Sequence, residues 1–272
     1  MTKVYKIDYH VHSMFSMDSE ADPFEEILAA KSKGIDDLIF TDHCDCNYEP
    51  ATLPEMEPWP FLEVEEYWNY MTNLRNTCGY DFGIGIEVGQ STQALERANG
   101  VIESHPWDFV IGSLHNANKD LDYSLIDYSK RDIEKTFRDY FEELYETAKI
   151  NNFSVLGHLY YPIRYVLNQG LELDLSKFDA DMAEVLKIIV QNGKGIEVNL
   201  KGYVPSKGNM IPNLKYVKMF KDLGGEIITI GSDGHDTDAV GKYITDATEM
   251  VKEAGFKYVA RYRNMKPTFE KI

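Results

Sequence analysis

The chain has 272 residues, 43% hydrophobic and 27% charged, with a formal net charge of −17 at pH 7. That length suits one large α/β domain or two small ones, and the composition is that of an ordinary globular protein. So acidic a surface repels polyphosphate backbones, which argues against nucleic-acid binding as the main task, and no apolar run approaches the ~20 residues a membrane span needs. The opening residues, Met1 to Asp8, lack the apolar stretch of a secretory signal, and Cys44, Cys46 and Cys78 give no even disulfide framework. A reducing cytoplasm is the expected setting. Net negative charge does not exclude a small phosphorylated substrate, because a metal cluster with one or two cationic side chains makes a local positive site.

In chain order, short apolar runs rich in β-formers alternate with longer helix-like segments, the signature of β/α units and a mostly parallel sheet. Seven strands are predicted, at 4–7, 38–41, 82–86, 109–112, 154–156, 195–198 and 226–230. Asp22 and Pro23 open the first helix with Glu25 and Glu26 in its first turn, and Gly34 closes it. The segment 131–150 is the longest helix, with Ile133, Phe137, Tyr140, Phe141, Leu144, Tyr145 and Ala148 at helical spacing. Further helices are expected at 179–191, ending at Asn192-Gly193, and at 213–223, ending at Gly224-Gly225. Between 44 and 61 the rhythm breaks. Pro50, Pro54, Pro58 and Pro60 exclude regular helix there, and with Trp59 and Phe61 they suggest an inserted loop beside the mouth of the fold.

Six of the seven histidines fall just after predicted strands: His10, His12, His43, His115, His158 and His235. In a β/α barrel the carboxyl ends of all strands open on one face, so these residues should meet there, together with Glu87 and Asp233. Imidazoles are common ligands of divalent transition metals, and carboxylates can bridge two ions. In an extended segment His10 and His12 point the same way and can chelate one ion. The same rule pairs Asp233 with His235 unless Gly234 bends the chain. His105, between a helix and the fourth strand, belongs to the opposite end and reads as structural. No C-x-x-C pair exists, so structural zinc on cysteine is not indicated. The chain has no phosphate-binding G-x-x-x-x-G-K-[ST] loop, no G-x-S-x-G elbow and no cysteine-phosphatase loop, which leaves a metal-activated water as the economical nucleophile.

The set H-x-H-S, T-D-H, G-x-E, G-S-x-H, G-H and S-D-x-H, running from Asp8 to His235, resembles the polymerase and histidinol phosphatase superfamily. The long segment after T-D-H, the aspartate-rich stretch after G-S-L-H and Glu197-Val198-Asn199 resemble its histidinol-phosphate phosphatase branch. The resemblance implies a single-domain, TIM-like, distorted (β/α)7 barrel over residues 1–272, in agreement with the strand count. It implies two or three divalent ions, zinc, manganese or iron. One would be held by His10, His12, Glu87 and Asp233, a second by Glu87, His115 and His158, and a third by Asp18, His43 and His235. Relatives often place a histidine near Asp18, so that position departs from the pattern. Arg164 and Lys201 would hold the phosphoryl group, and Tyr160, Tyr161 and the 44–61 loop would meet the rest of the substrate. Asp233, His235 or Asp42 would supply a proton to the leaving group. The implied reaction is hydrolysis of L-histidinol phosphate to histidinol and phosphate in histidine synthesis. Rival readings are action on another small phosphomonoester or a nucleic-acid end, and a non-catalytic metal-binding module. Oligomeric state is not legible in the sequence.

Overall fold

A computed structural model describes residues 4–47 and 60–272. Its first half runs β1 (Ile7–Asp8), α1 (Pro23–Ser32), β2 (Asp37–Phe40), β3 (His43–Asp45), α2 (Val64–Thr77), β4 (Gly83–Gly89), α3 (Leu95–Ser104), β5 (Phe109–Ser113) and α4 (Ile133–Ile150). The second half runs β6 (Val155–Leu156), α5 (Tyr161–Asn168), α6 (Asp179–Gln191), β7 (Gly195–Asn199), α7 (Leu214–Asp222), β8 (Ile228–Gly231), α8 (Ile244–Glu253), β9 (Tyr258–Arg263) and β10 (Lys266–Lys271).

The main sheet is parallel throughout, in the order β1-β2-β4-β5-β6-β7-β8, with β3 also paired to β4. β8 then returns to β1. Tyr9 N donates to Ile230 O at 3.0 Å, Asp233 N to His10 O at 2.7 Å and His12 N to Gly234 O at 2.8 Å. These bonds bring the first and last strands together in a nearly closed barrel of seven parallel strands, the distorted (β/α)7 architecture expected. The strands are buried on both faces, which is why they read as apolar runs. No described helix is long and apolar enough to cross a membrane.

Local chemistry sets the helix bounds. The Asp22 carboxylate accepts from Phe24 N and Glu25 N, Pro23 takes the first helical position, and Gly34 leaves the helix at φ +71°. In α4 the Asp132 carboxylate caps Lys135 N, the stripe Phe137, Tyr140, Phe141, Leu144 and Ala148 is buried, and Asn151 ends the helix at φ +62°.

Two features depart from the sequence reading. The 44–61 loop was expected to begin at Cys44, but β4 continues to Gly89, beyond the predicted end at 86, and its extra length pairs with His43–Asp45. Most of that loop, 48–59, lies outside the described residues. The second feature is the antiparallel hairpin of β9 and β10, which the sequence reading missed. Its two-residue turn, Asn264-Met265, has φ +51° and +55°, as a primed hairpin turn requires. The hairpin seals the amino end of the barrel. Arg263 pairs with Asp37 at 2.7 Å, Tyr262 packs on Phe109 with ring centroids 4.9 Å apart, and Asn264 N donates to Asp108 Oδ1 at 3.1 Å.

Candidate metal centre

Because every strand of the barrel is parallel, the segments leaving their carboxyl ends converge on one rim. β1 delivers His10 and His12, β2 delivers Asp42 and His43, β5 His115, β6 His158, β7 Lys201, and β8 Asp233 and His235. Glu87 comes from within β4, where side chains alternate across the sheet, so Gly85, Glu87 and Gly89 share a face. Glycine is required at both flanks. A Cβ on Gly85 would lie 2.6 Å from Phe109 O, and one on Gly89 would lie 1.9 Å from Asp45 Oδ1. His158 and Asp233 hold positive φ, +21° and +53°, a costly backbone for non-glycine residues that recurs at functional sites.

Glu87 is fully buried and central. Its Oε1 lies 2.8 Å from His158 Nε2, 3.2 Å from His115 Nε2 and 2.6 Å from the Ser113 hydroxyl that donates to it. Its Oε2 lies 2.7 Å from His43 Nδ1, 3.4 Å from His10 Nε2 and 3.7 Å from His12 Nε2. Asp233 Oδ1 faces His12 Nε2 at 3.4 Å, His235 Nδ1 at 3.6 Å and His10 Nε2 at 4.0 Å. Asp18, half exposed, reaches His235 Nε2 at 2.9 Å and His43 Nε2 at 3.6 Å. His10 and His12 thus share a pocket with Asp233. Asp233 and His235 do not act as a simple pair, because the chain turns at Asp233 itself and leaves His235 Nε2 facing Asp18 instead.

Buried polar atoms normally have partners. Here His10 Nε2, His12 Nε2, His43 Nδ1 and Glu87 Oε2 are buried without a hydrogen bond. Three triads each present ligand atoms within 4.8 Å of one another: His10, His12 and Asp233; His12, His43 and His235; and His43, Glu87 and His115. Converging lone pairs on buried imidazoles and carboxylates are what divalent cations satisfy, so the residues fit the two or three ions that the motif set implies.

The titration pattern follows from the same crowding. Burial opposes charge on His10, but Glu197, Glu87 and Asp233 more than reverse it and hold its pKa well above the ordinary value. His115 is raised in the same way by Asp45 and Glu87 against burial, and His43 is pushed up to about 9 by Glu87 and Asp18 against burial. Burial and the neighbouring imidazoles of His43 and His235 push His12 well down. Burial would raise Glu87 and Asp233, but cationic neighbours, His10 for the first and Lys201 for the second, keep both ionised.

The PHP-domain family model matches residues 8–201. The chain belongs to the PHP-domain family. Among PHP relatives it is 28% identical to a histidinol-phosphatase of Lactococcus lactis over 96% of each chain, and 29% identical to a probable histidinol-phosphatase of Thermotoga maritima over 93% of this chain and 94% of the relative. Its fold superposes with TM-score 0.85 on the crystal structure of the histidinol phosphate phosphatase of Lactococcus lactis, complexed with zinc, L-histidinol and phosphate, at 27% identity, covering 98% of this chain and all of that one. A structure from Listeria monocytogenes shares the fold with TM-score 0.73 at 18% identity, covering 88% of this chain and 99% of that one.

Beside the PHP centre lies a cavity of about 220 Å³, lined by Arg164, Tyr161, Tyr165, Lys201, Asp122 and the histidine cluster. Arg164 Nη2 donates to Asn199 Oδ1 at 2.7 Å, its Nη1 pairs with Asp233 Oδ2 at 3.7 Å without a hydrogen bond, and its Nε is buried without a hydrogen bond. Lys201 Nζ lies 2.8 Å from His235 Nε2 and 3.4 Å from Asp233 Oδ1. Tyr161 lines the cavity, whereas Tyr160 turns away, buried against Tyr216 with ring centroids 4.6 Å apart.

Asp42 corrects the expectation of a proton donor. It is fully buried, does not line the cavity, and accepts from Ser13 N at 2.7 Å and Ser16 Oγ at 2.7 Å. Ser16 in turn meets His12 Nδ1 at 3.0 Å, so Asp42 acts through Ser16 to fix that ring. His105 sits away from the site, its ring 4.9 Å from that of Trp68 and its Nε2 3.3 Å from Glu65.

Sequence reasoning missed a second layer: Glu197 on His10 Nδ1 at 2.6 Å, Asp45 on His115 Nδ1 at 3.0 Å, Asn199 on Asp233 at 3.1 Å, and Asp122 on the cavity wall. One signal was available. Glu197 and Asn199 alternate along a strand whose other residues are apolar, and Asp45 stands two residues from His43 on the same face of β3.

Proposed function

We propose that the chain is a metal-dependent phosphomonoester hydrolase acting on L-histidinol phosphate, releasing L-histidinol and phosphate, with His10, His12, Asp18, His43, Glu87, His115, His158, Asp233 and His235 as its metal ligands. The observation that carries this reading is the adjacency of three parts. A buried histidine and carboxylate cluster, two cationic side chains and an uncompensated acid all face one cavity. Full-length similarity to the Lactococcus lactis structure, complexed with zinc, L-histidinol and phosphate, supports the substrate.

Zinc, manganese or iron in the cluster would supply Lewis acidity toward the phosphoryl oxygens and acidify the attacking water. The chain's own groups do the rest. Arg164 has two donors without a hydrogen bond, Nε and Nη1, for phosphoryl oxygens, the second also 3.7 Å from Asp233 Oδ2, and its Nη2 is anchored by Asn199 so that the fork is pre-oriented. Lys201 adds a point charge on the same side. As charge spreads over the phosphoryl oxygens, these cations stabilise the transition state more than the ground state. Asp233 stays ionised beside His12 and His235, so it is the group placed to accept the proton of the attacking water. His235, 3.6 Å from it, is the neighbouring group that can pass a proton on.

Asp122 meets the other end of the substrate. Its Oδ1 accepts from Ser124 N at 2.7 Å, and no lysine or arginine pairs with it among the described residues. Burial raises its pKa more than the neighbouring His115 lowers it, which marks a carboxylate short of counter-charge. The ammonium of histidinol phosphate supplies one. Tyr161 and Tyr165, joined by a 2.8 Å hydrogen bond between their hydroxyls, offer aromatic faces beside it.

The test is phosphate release from histidinol phosphate, nucleoside monophosphates and single-stranded DNA by protein of known metal content. Preference for histidinol phosphate is expected, in keeping with a net charge of −17 that opposes polynucleotides. In labelled water, single-turnover hydrolysis should place one label in phosphate. Trapping a phosphoenzyme would overturn the mechanism.

A further inference from the structure

Glu197 lies at the middle of β7, 1% exposed, and both of its oxygens point toward the metal-facing histidines. Oε1 meets His10 Nδ1 at 2.6 Å. Oε2 accepts the backbone N–H of His158 at 2.9 Å and the Asn199 amide at 3.2 Å. His10 and His158 stand in different pockets. His10 shares its pocket with His12 and Asp233, and His158 faces His115 and Glu87 Oε1.

Each contact has a distinct consequence. A carboxylate on Nδ1 makes that nitrogen the donor, so the neutral ring that takes a cation carries its proton there and not on Nε2. That nitrogen, buried and without a partner, keeps its lone pair for a cation. The second contact fixes backbone. His158 adopts φ +21°, a conformation a free histidine avoids, and the bond from its N–H to Oε2 holds it there. Only in that pose does His158 Nε2 fall 2.8 Å from Glu87 Oε1. The surroundings keep room for the carboxylate. A Cβ on Gly231 would lie 2.4 Å from Oε1.

We propose that Glu197 is a positioning residue that holds two metal pockets at once, so that losing it empties both, through His10 on one side and His158 on the other. Glu87 joins the same pockets from inside the cluster, and Glu197 braces them from behind. The proposal rests on the metal-site reading above. It differs from an ordinary single anchor such as Asp45, which touches one ring, His115, at 3.0 Å.

Glu197→Leu tests it. Leucine keeps much of the volume and removes both acceptors at once, so neither the His10 Nδ1–H nor the His158 N–H keeps its partner. Full-length wild type, E197L and D45N are stripped with a chelator and dialysed against a series of buffered free Zn²⁺ concentrations. Bound zinc per chain is then read by elemental analysis, and a thermal melt of each stripped protein checks folding. E197L should need 10–100-fold more free zinc for two of its ions, the range typical of losing a group that orients a ligand, and D45N for one. E197A, which also removes both acceptors, should match E197L and serves in its place if E197L does not fold. A variant at 197 that fills like wild type, or that weakens no more ions than D45N does, overturns the proposal. A wild-type chain that binds no zinc overturns the metal reading as well.

Discussion

Asp122 and Glu26 are both buried carboxylates that pair with no lysine or arginine among the described residues, and they lead to opposite expectations. Asp122 borders the cavity, so a ligand can supply its missing charge. Replacing it with asparagine removes a charge-assisted contact worth about 1.5–3 kcal/mol. Asp122→Asn should therefore raise KM for histidinol phosphate by roughly 10–100-fold, with little change in kcat. It should leave the hydrolysis of a simple aryl phosphate, which has no ammonium, unaffected. Equal losses on both substrates would show that Asp122 is structural. Glu26, on α1, is sealed in with both oxygens unpartnered. Burial, aided by Asp42 and Asp8, pushes its pKa up to about 9 from 4.5. Above 4.5 the unfolded chain releases this proton while the folded chain keeps it. Folding stability is therefore full below pH 4.5, falls as pH rises, and levels off above about 9. Glu26→Gln should remove that decline. At ~1.4 kcal/mol per pH unit the variant gains about 3 kcal/mol at pH 7 and nothing at pH 4, measured by urea unfolding across pH. A constant difference at all pH values would count against a neutral, buried acid.

At the scale of elements, legibility followed burial. The seven parallel strands were readable because burial on both faces makes each a run of apolar residues, as in Phe109-Val110-Ile111. The metal-facing groups were readable because histidine is rare here, seven in 272 residues, and six stand after strands. Glu197 and Asp45 were not, because 45 acids populate the chain and the one local signal, their alternation within short strands, does not say that they brace a ligand. The β9–β10 hairpin escaped for a different reason: β10 is almost wholly exposed, so it has no apolar stripe, and its role lies in distant contacts. Arg261 and Arg263 converge on buried Asp37 at 3.0 and 2.7 Å, and the Tyr9 hydroxyl donates to the same carboxylate. Cutting a buried ion pair on one side costs about 3–5 kcal/mol. Asp37→Asn should lower the unfolding free energy by about that amount in a denaturant titration. Because the hairpin closes the end of the barrel away from the cavity, KM and kcat should hold at temperatures below the shifted melt. A raised KM with unchanged stability would mean that the hairpin reaches the site and is not a plug.

For the whole molecule the proposed metal cluster would be both catalyst and clasp. Its proposed ligands come from segments following β1, β2, β5, β6 and β8 and from β4 itself, so ions bound there would tie together most of the barrel's carboxyl end. Without a cation the rim holds six imidazoles around two buried carboxylates, and the charges are resolved by protons on His10, His43 and His115, which Glu197, Glu87, Asp18 and Asp45 favour against burial. His12 and His158 gain no such relief, because burial outweighs their acidic neighbours and holds both below the ordinary value. Ions that bind only the folded chain stabilise it by mass action, about 2.7 kcal/mol for each ion present at 100 times its dissociation constant. Two ions then contribute roughly 5 kcal/mol, which for a domain of this size shifts the melting temperature by on the order of 10 °C. Chelation should abolish phosphate release and lower the melting temperature together, and returning zinc, manganese or iron should restore both over the same concentration range. Loss of activity with an unchanged melt would mean that the strands hold their rim without help. Activity that survived chelation would place the chemistry on the side chains alone, and the converging lone pairs of His10, His12, His43 and Glu87 would then need another explanation.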